Sequence, residues 1–295
     1  MTLLLATIAL RPYVFVFLLA FILASTVNFG WKTTLVFAGA AWIVALLCEW
    51  SSIHNGFPFG LYHYHHTTYG REIWVLGVPL FDSLSFVFLS FASYSMALLL
   101  TAPFVRAGID WRLAETRELR RSLHVWGLAV LLMVMVDLAA DPLSVRGAQW
   151  FLGNLFWYDP PGPYFGVPIS NFLGWGFVAA INVAIFQQVD LVLNRGKGRP
   201  WGVIARWPSR SLLGPLLYVG MICFAVVMLF LIGATNVAWA SVFVYLPLAA
   251  LGGSILMRPS SRADGAAIAA HVRDFPYDAN FTDESASKSP WARRA

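Results

Sequence analysis

The stretch "LLGPLLYVGMICFAVVMLFLIGATNVAWASVFVYLPLAALGGSILM", residues 212–257, contains no charged side chain. A membrane-spanning helix needs about 20 apolar residues. This stretch is too long for one crossing and long enough for two, with a Gly-Ala-Thr-Asn turn at 233–236 between them. The same reading carried outward gives seven spans, at about 13–29, 33–50, 77–101, 123–141, 166–190, 212–234 and 236–257. Composition agrees: the chain is 59 % hydrophobic and 12 % charged, against about 25 % charged in soluble domains. The mean hydropathy is +0.67. The sequence therefore predicts an all-α integral membrane protein, with a polytopic domain over 1–257 and a polar, Ser/Ala/Asp-rich tail over 258–295 that is expected to be disordered. The first span lacks a basic segment before it and a clean small-residue cleavage site after it, so it is expected to be retained.

All but three of the 20 basic residues fall on the C-terminal side of this layout, the exceptions being Arg11, Arg71 and Arg146. The positive-inside rule then puts the tail in the cytoplasm and the N-terminus outside. Because the basic residues sit in loops between spans, the pI near 9.4 does not point to nucleic acid. Cys48 and Cys223 lie in or beside spans and imply neither a disulfide framework nor a thiolate metal site.

Two segments are alike: "LGVPLFDSLSF" at 76–86 and "FGVPISNFLGW" at 165–175. Each has Gly-Val-Pro, an Asp or Asn five positions after the Gly, and a preceding span that ends in a carboxylate, Glu49 or Asp137. The spacing predicts a parallel helix–loop–helix repeat over about 34–101 and 123–190, and sites in such folds lie between the halves. A common helix-opening use of Pro would explain Gly-Val-Pro without duplication. On the seven-span layout, Glu49, Asp82, Asp137, Asp141 and Asn171 share one membrane face. The loops 51–76 and 142–165, rich in Gly, Pro and aromatic residues, are expected to fold over them as lids.

An acid inside a span costs roughly 2.5–3.5 kcal/mol on insertion scales and is a functional candidate for that reason. Asp137 and Asp141, spaced i,i+4, share a helix face, and Pro142 is expected to end the helix near Asp141. A purely structural role, at the interface or against a neighbouring helix, is the alternative for each acid and for Asn171. His54, His63, His65 and His66 cluster in one loop, but neither an HExxH nor a Cys/His spacing is present. These histidines are expected to be interfacial hydrogen-bonding groups, with His63 placed at the pocket, and no metal is expected.

A carboxyl taken out of water favours its neutral, proton-bearing form. Such an acid can protonate an alkene. Aromatic faces stabilise the resulting carbocation by roughly 0.5–2 kcal/mol per contact, and an ionised carboxylate can activate water to capture it. On this reading Asp137 or Asp141 donates the proton, and Glu49 or the other Asp positions the water. Tyr62, Tyr64, Trp157 and Tyr164 line the cationic region, with Asp82, Asn171 and His63 in the substrate pocket.

The strings "EWSSIHNGFPFGLYHY" (49–64), "LGVPL" (76–80), "DLAADP" (137–142) and "GPYFGVPISNFLGW" (162–175) resemble the integral-membrane carotenoid biosynthesis family. Its members include the carotenoid 1′,2′-hydratases and the bisanhydrobacterioruberin hydratases. The match covers about residues 40–190 with the motifs in order, and the multi-span layout extends it to about 257. The resemblance implies hydration of the terminal C1′,2′ double bond of an acyclic carotenoid end (lycopene, γ-carotene or a C50 precursor) to a tertiary alcohol. It implies no redox cofactor, a lipid-soluble carotenoid substrate, the bilayer of a prokaryotic inner membrane, and other carotenoid-pathway enzymes as candidate partners. Two rival functions fit the same residues: a carotenoid cyclase, which quenches the same cation with an internal alkene, and a non-catalytic lipid or polyene transporter.

Overall fold

The computed structural model describes residues 2–107, 110–146, 154–196 and 198–281. A short helix, α1 (Leu3–Leu10), precedes α2 (Pro12–Phe29) and α3 (Trp31–Asn55). A loop follows that carries three short strands, β1 (Tyr62–Tyr64), β2 (Trp74–Val75) and β3 (Val78–Pro79), and leads into α4 (Leu80–Thr101). The hairpin β4 (Phe104–Ala107) and β5 (Asp110–Leu113) and the single turn α5 (Arg117–Arg120) connect to α6 (Leu123–Ser144). Strand β6 (Phe156–Tyr158) then precedes α7 (Ile169–Leu193), α8 (Leu213–Leu231), α9 (Thr235–Met257) and α10 (Gly265–Asp274). Seven of these helices are long and apolar enough to cross a membrane, as the sequence predicts. The protein is a multi-pass membrane protein.

Local chemistry sets the helix limits. Pro12 opens α2, where its missing N–H is no loss. Gly56, with φ 82°, closes α3 in the left-handed conformation, and its N–H bonds Ser52 O. Ser122 caps α6 by accepting from Val125 N at 3.2 Å. Two boundaries differ from expectation. Pro142 does not end α6, which runs to Ser144, so Asp141 lies within the helix. The two Gly-Val-Pro segments stop short of their helices: Pro79 and Pro168 are the residues before α4 and α7, held extended.

Helix α4 is the axis of the bundle. It packs against α2, α3, α6, α7 and α8, and 72 % of its span is buried, against 6 % for α9. Leucines, valines and phenylalanines face outward from the peripheral helices, among them Leu19, Leu173, Leu231 and Phe243. That is the arrangement expected where hydrocarbon is the solvent.

The tail departs from the expected disorder. Residues 265–274 form α10, capped by Asp264, which accepts from Ala267 N at 2.8 Å. A 3-10 segment, Pro276–Phe281, follows. This segment is held by polar groups: Arg210 pairs with Asp278, Arg117 N donates to Asp274 Oδ2 at 2.9 Å, and His271 Nδ1 lies 2.7 Å from Glu115 O. Arg120 joins Glu115 at 2.7 Å and Asp190 at 3.4 Å in the same buried cluster. The rest of the expected tail, 282–295, lies outside the described residues.

Candidate active site

The two interhelical loops meet as a strand pair. β1 and β6 run antiparallel, with Tyr62 opposite Tyr158, His63 opposite Trp157, and Tyr64 opposite Phe156. Side chains alternate across a strand, so Tyr62, Tyr64, Phe156 and Tyr158 point inward and are buried. Below them lie the ends of α3 and α6 and the first turns of α4 and α7. The Gly56–Leu61 turn presses onto α7 at Gly174, where a Cβ would stand 2.5 Å from Phe59 Cδ1.

The carboxyls form two half-sites under this roof. In one, the Tyr64 hydroxyl donates to Asp82 Oδ2 at 2.6 Å and lies 3.4 Å from Glu49 Oε2. With its one proton on Asp82, it accepts from Tyr62 at 3.2 Å. In the other, Asn171 Nδ2 spends one hydrogen on Asp137 Oδ2 at 2.7 Å and the other on Asp141 Oδ2 at 2.6 Å. Tyr158 also donates to Asp141 Oδ2, at 3.2 Å. An amide donor between two carboxyls lets them approach where a third carboxylate would repel both. Glu49, Asp137, Asp141 and Asn171 are buried, and Asp82 is partly exposed. Glu49 Oε1 and Asp137 Oδ1 are buried with no hydrogen-bond partner among the described residues. A buried oxygen left this way is costly.

Tyr62 joins the half-sites. Its ring lies 5.3 Å from that of Tyr64 and 5.7 Å from that of Tyr158. Burial, and then the charges of Glu49, Asp82 and Asp141, hold its hydroxyl well above the usual phenol range, against a smaller opposing effect of its bond to Tyr64. Burial and the neighbouring carboxylates do the same for Tyr64 and Tyr158. All three phenols keep their protons and act as hydrogen-bond donors and neutral π faces.

With this geometry in place, the comparison with known proteins is specific. Residues 2–248 match the family described as carotenoid biosynthesis protein. The chain belongs to that family. No curated protein and no solved structure matches it.

In this carotenoid biosynthesis protein, Glu49, Asp82, Asp137, Asp141, Asn171, Tyr62 and Tyr64 come together as two linked half-sites. Tyr164 sits at the margin: its hydroxyl donates to Leu138 O at 3.2 Å, and burial with the charge of Asp137 pushes its phenol up. Trp157 and His63 do not join the carboxyls. They project from the outer face of the strand pair, their rings tilted against each other at 5.3 Å, with Trp157 44 % exposed. The sequence reading missed Tyr158 and Phe156, which occupy the inward positions beside Trp157. The other histidines of the expected cluster also rest on aromatic rings, but His54 lies in the last turn of α3, on Trp50, not in the loop, while His65 rests on Trp157 and His66 lies against Tyr69 and Trp74. Among the described residues, no three His, Cys, Asp or Glu side chains are grouped to hold a metal ion.

Proposed function

We propose that this membrane protein is a carotenoid hydratase that adds water to the terminal C1′,2′ double bond of an acyclic carotenoid end. The carrying observation is a buried cluster of carboxyls, roofed by aromatic rings, in which Glu49 Oε1 and Asp137 Oδ1 have no hydrogen-bond partner among the described residues. Asp141 is engaged by Asn171 and Tyr158, which suits it to hold negative charge. Asp137 has one oxygen uncommitted among the described residues, which suits it to deliver a proton.

In this mechanism the O–H bond of protonated Asp137 breaks and its proton forms a C–H bond at C2′, using the alkene π pair. The tertiary cation left at C1′ lies against the faces of Tyr62, Tyr64, Phe156 and Tyr158. Water held by Glu49 gives its lone pair to C1′, and the oxonium proton passes to a carboxylate. Atoms and electrons balance without a redox cofactor. Family membership supports the substrate class, and the apolar exterior supports sideways entry from the bilayer. The proposed setting is a prokaryotic inner membrane, with the strand-pair face outward and the tail in the cytoplasm, on the charge distribution of the loops.

The test is expression in bacteria that accumulate lycopene or γ-carotene, with the pigments separated by liquid chromatography and weighed by mass spectrometry. A more polar pigment heavier by one water is the expected result. A new pigment of unchanged mass with a ring at its end group would make the protein a cyclase. An unchanged profile with these and with a C50 precursor, with the protein present in the membrane, would overturn the enzyme reading in favour of a carrier.

A further inference from the structure

Hydration needs something that cyclisation and proton transfer do not, namely a supply of water to a site walled by aromatic rings. A cavity of about 200 Å³ lies beside the strand pair, between the start of α2 and the loop that carries β2 and β3. Arg11, Tyr64, Thr67, Thr68, Glu72 and Trp74 are among the residues that line it. Its wall is charged: Arg11 grips Glu72 through Nε to Oε2 and Nη2 to Oε1, each at 3.0 Å, with both residues 2 % exposed. Desolvating two charges is expensive, so a polar cavity against such a pair holds water well. Trp74 Nε1 is buried with no acceptor among the described residues, and a buried donor without a protein acceptor calls for an ordered water. Tyr64 lines the cavity, bonds Asp82 and lies 3.4 Å from Glu49, so it links the cavity to the carboxyls.

We propose that this cavity is the water port of the site, and that the loop 65–74 with Arg11 and Glu72 forms its walls. The proposal rests on the hydratase reading and names the route of its second substrate. Water passes beside Tyr64 to Glu49 Oε1, whereas the carotenoid arrives from the hydrocarbon. The two reactants therefore meet from different phases, and the cation forms on the dry side of the Tyr62–Tyr64 pair. The wider cavity over the strand pair, about 540 Å³, also touches Tyr64, but it is lined by His54, His63 and Trp157 and has no buried charged group. It has the character of an open groove.

Thr68→Phe and Thr67→Phe test this. Both threonines line the cavity, and neither is hydrogen-bonded to a carboxyl of the site. A cation formed without water at hand loses a proton from an adjacent carbon and returns an alkene isomer of unchanged mass. The expected result in lycopene-accumulating cells is a hydrate-to-isomer ratio lowered roughly tenfold, equivalent to about 1.4 kcal/mol on the capture step. Protein abundance in the membrane is expected to match wild type, and Thr68→Ser is expected to keep the wild-type ratio. An unchanged ratio in both Phe variants at normal abundance overturns the port. So does equal loss of hydrate and isomer in both, because that marks general damage to the site. If the unmodified protein forms no hydrate, the hydratase reading itself fails and the port falls with it, a result distinct from either variant outcome.

Discussion

Tyr64 and Asp82 meet hydroxyl to carboxyl at 2.6 Å, one on a loop strand and the other in the first turn of α4. This bond ties the aromatic roof to the acids beneath it. Replacing Tyr64 with Phe keeps the ring and removes the donor. Leaving a part-buried carboxylate without its donor costs about 1 kcal/mol, so we expect the melting temperature in detergent to fall. Hydrated pigment is expected to fall roughly tenfold. Wild-type turnover in this variant would remove the hydroxyl from the mechanism.

Asp137→Asn should abolish turnover. Its amide fills the same space and cannot deliver the proton. Asn171 loses one carboxyl partner but keeps Asp141 at 2.6 Å, so the protein is expected to insert normally. Pigment analysis beside an immunoblot of the membrane fraction is the check, and full activity at normal abundance would exclude Asp137 as the donor.

Gly174→Ala should loosen the lid. The added Cβ would meet Phe59 Cδ1 at 2.5 Å and the Phe59 and Pro58 backbone at 2.9 Å, and backbone does not step aside as a side-chain tip does. Overpacking of this kind costs about 1–3 kcal/mol. A lowered melting temperature together with reduced turnover is expected. An unchanged melting temperature would show that the Gly56–Leu61 turn shifts freely.

The tail clasp should be sensitive to acid. Burial opposes ionisation of Glu115, but the charge and hydrogen bond of Arg120 more than offset it, leaving its carboxyl below the ordinary carboxylate range. A depressed folded-state value contributes stability above the unfolded value, and that contribution is lost as pH falls through the folded one. Glu115→Gln is therefore expected to be less stable by about 3 kcal/mol near neutrality. The gap to wild type should close as pH drops below about 4, near the unperturbed carboxylate value. Melting curves of both proteins across pH 3–7 would show it (a constant gap would contradict the assignment).

The spans were legible because each bilayer crossing imposes length and apolarity on every residue in it. The acids stood out for the same reason: each is a cost that hydrophobic packing does not require. The roof was harder. Both Trp157 and Tyr158 suit an interface, and only strand pairing with residues 62–64 decides that Tyr158 points inward and Trp157 outward. The "YHY" and "FWY" triplets carried that alternation, but a pair of three-residue strands has no signal outside its partner. Arg11 and Glu72 were invisible as a pair because 61 positions separate them and each, alone, is an ordinary loop charge. The folded tail was hidden by its own composition, since it docks chiefly through polar contacts, Arg210–Asp278 and His271–Glu115, with Phe275 as a buried ring beneath Arg120.

The strand pair also sets an order in time. β1 is synthesised and inserted well before β6 exists, an interval of several seconds at about 5–20 residues per second. For most of that interval Glu49, Tyr64 and then Asp82 exist without Asp137 or Asp141 opposite them, and Asn171 follows only after β6. A nascent or truncated chain thus carries carboxyls but no closed chamber. The β1–β6 seam is therefore a completion latch: the roof over the carboxyls closes only after both interhelical loops have been made.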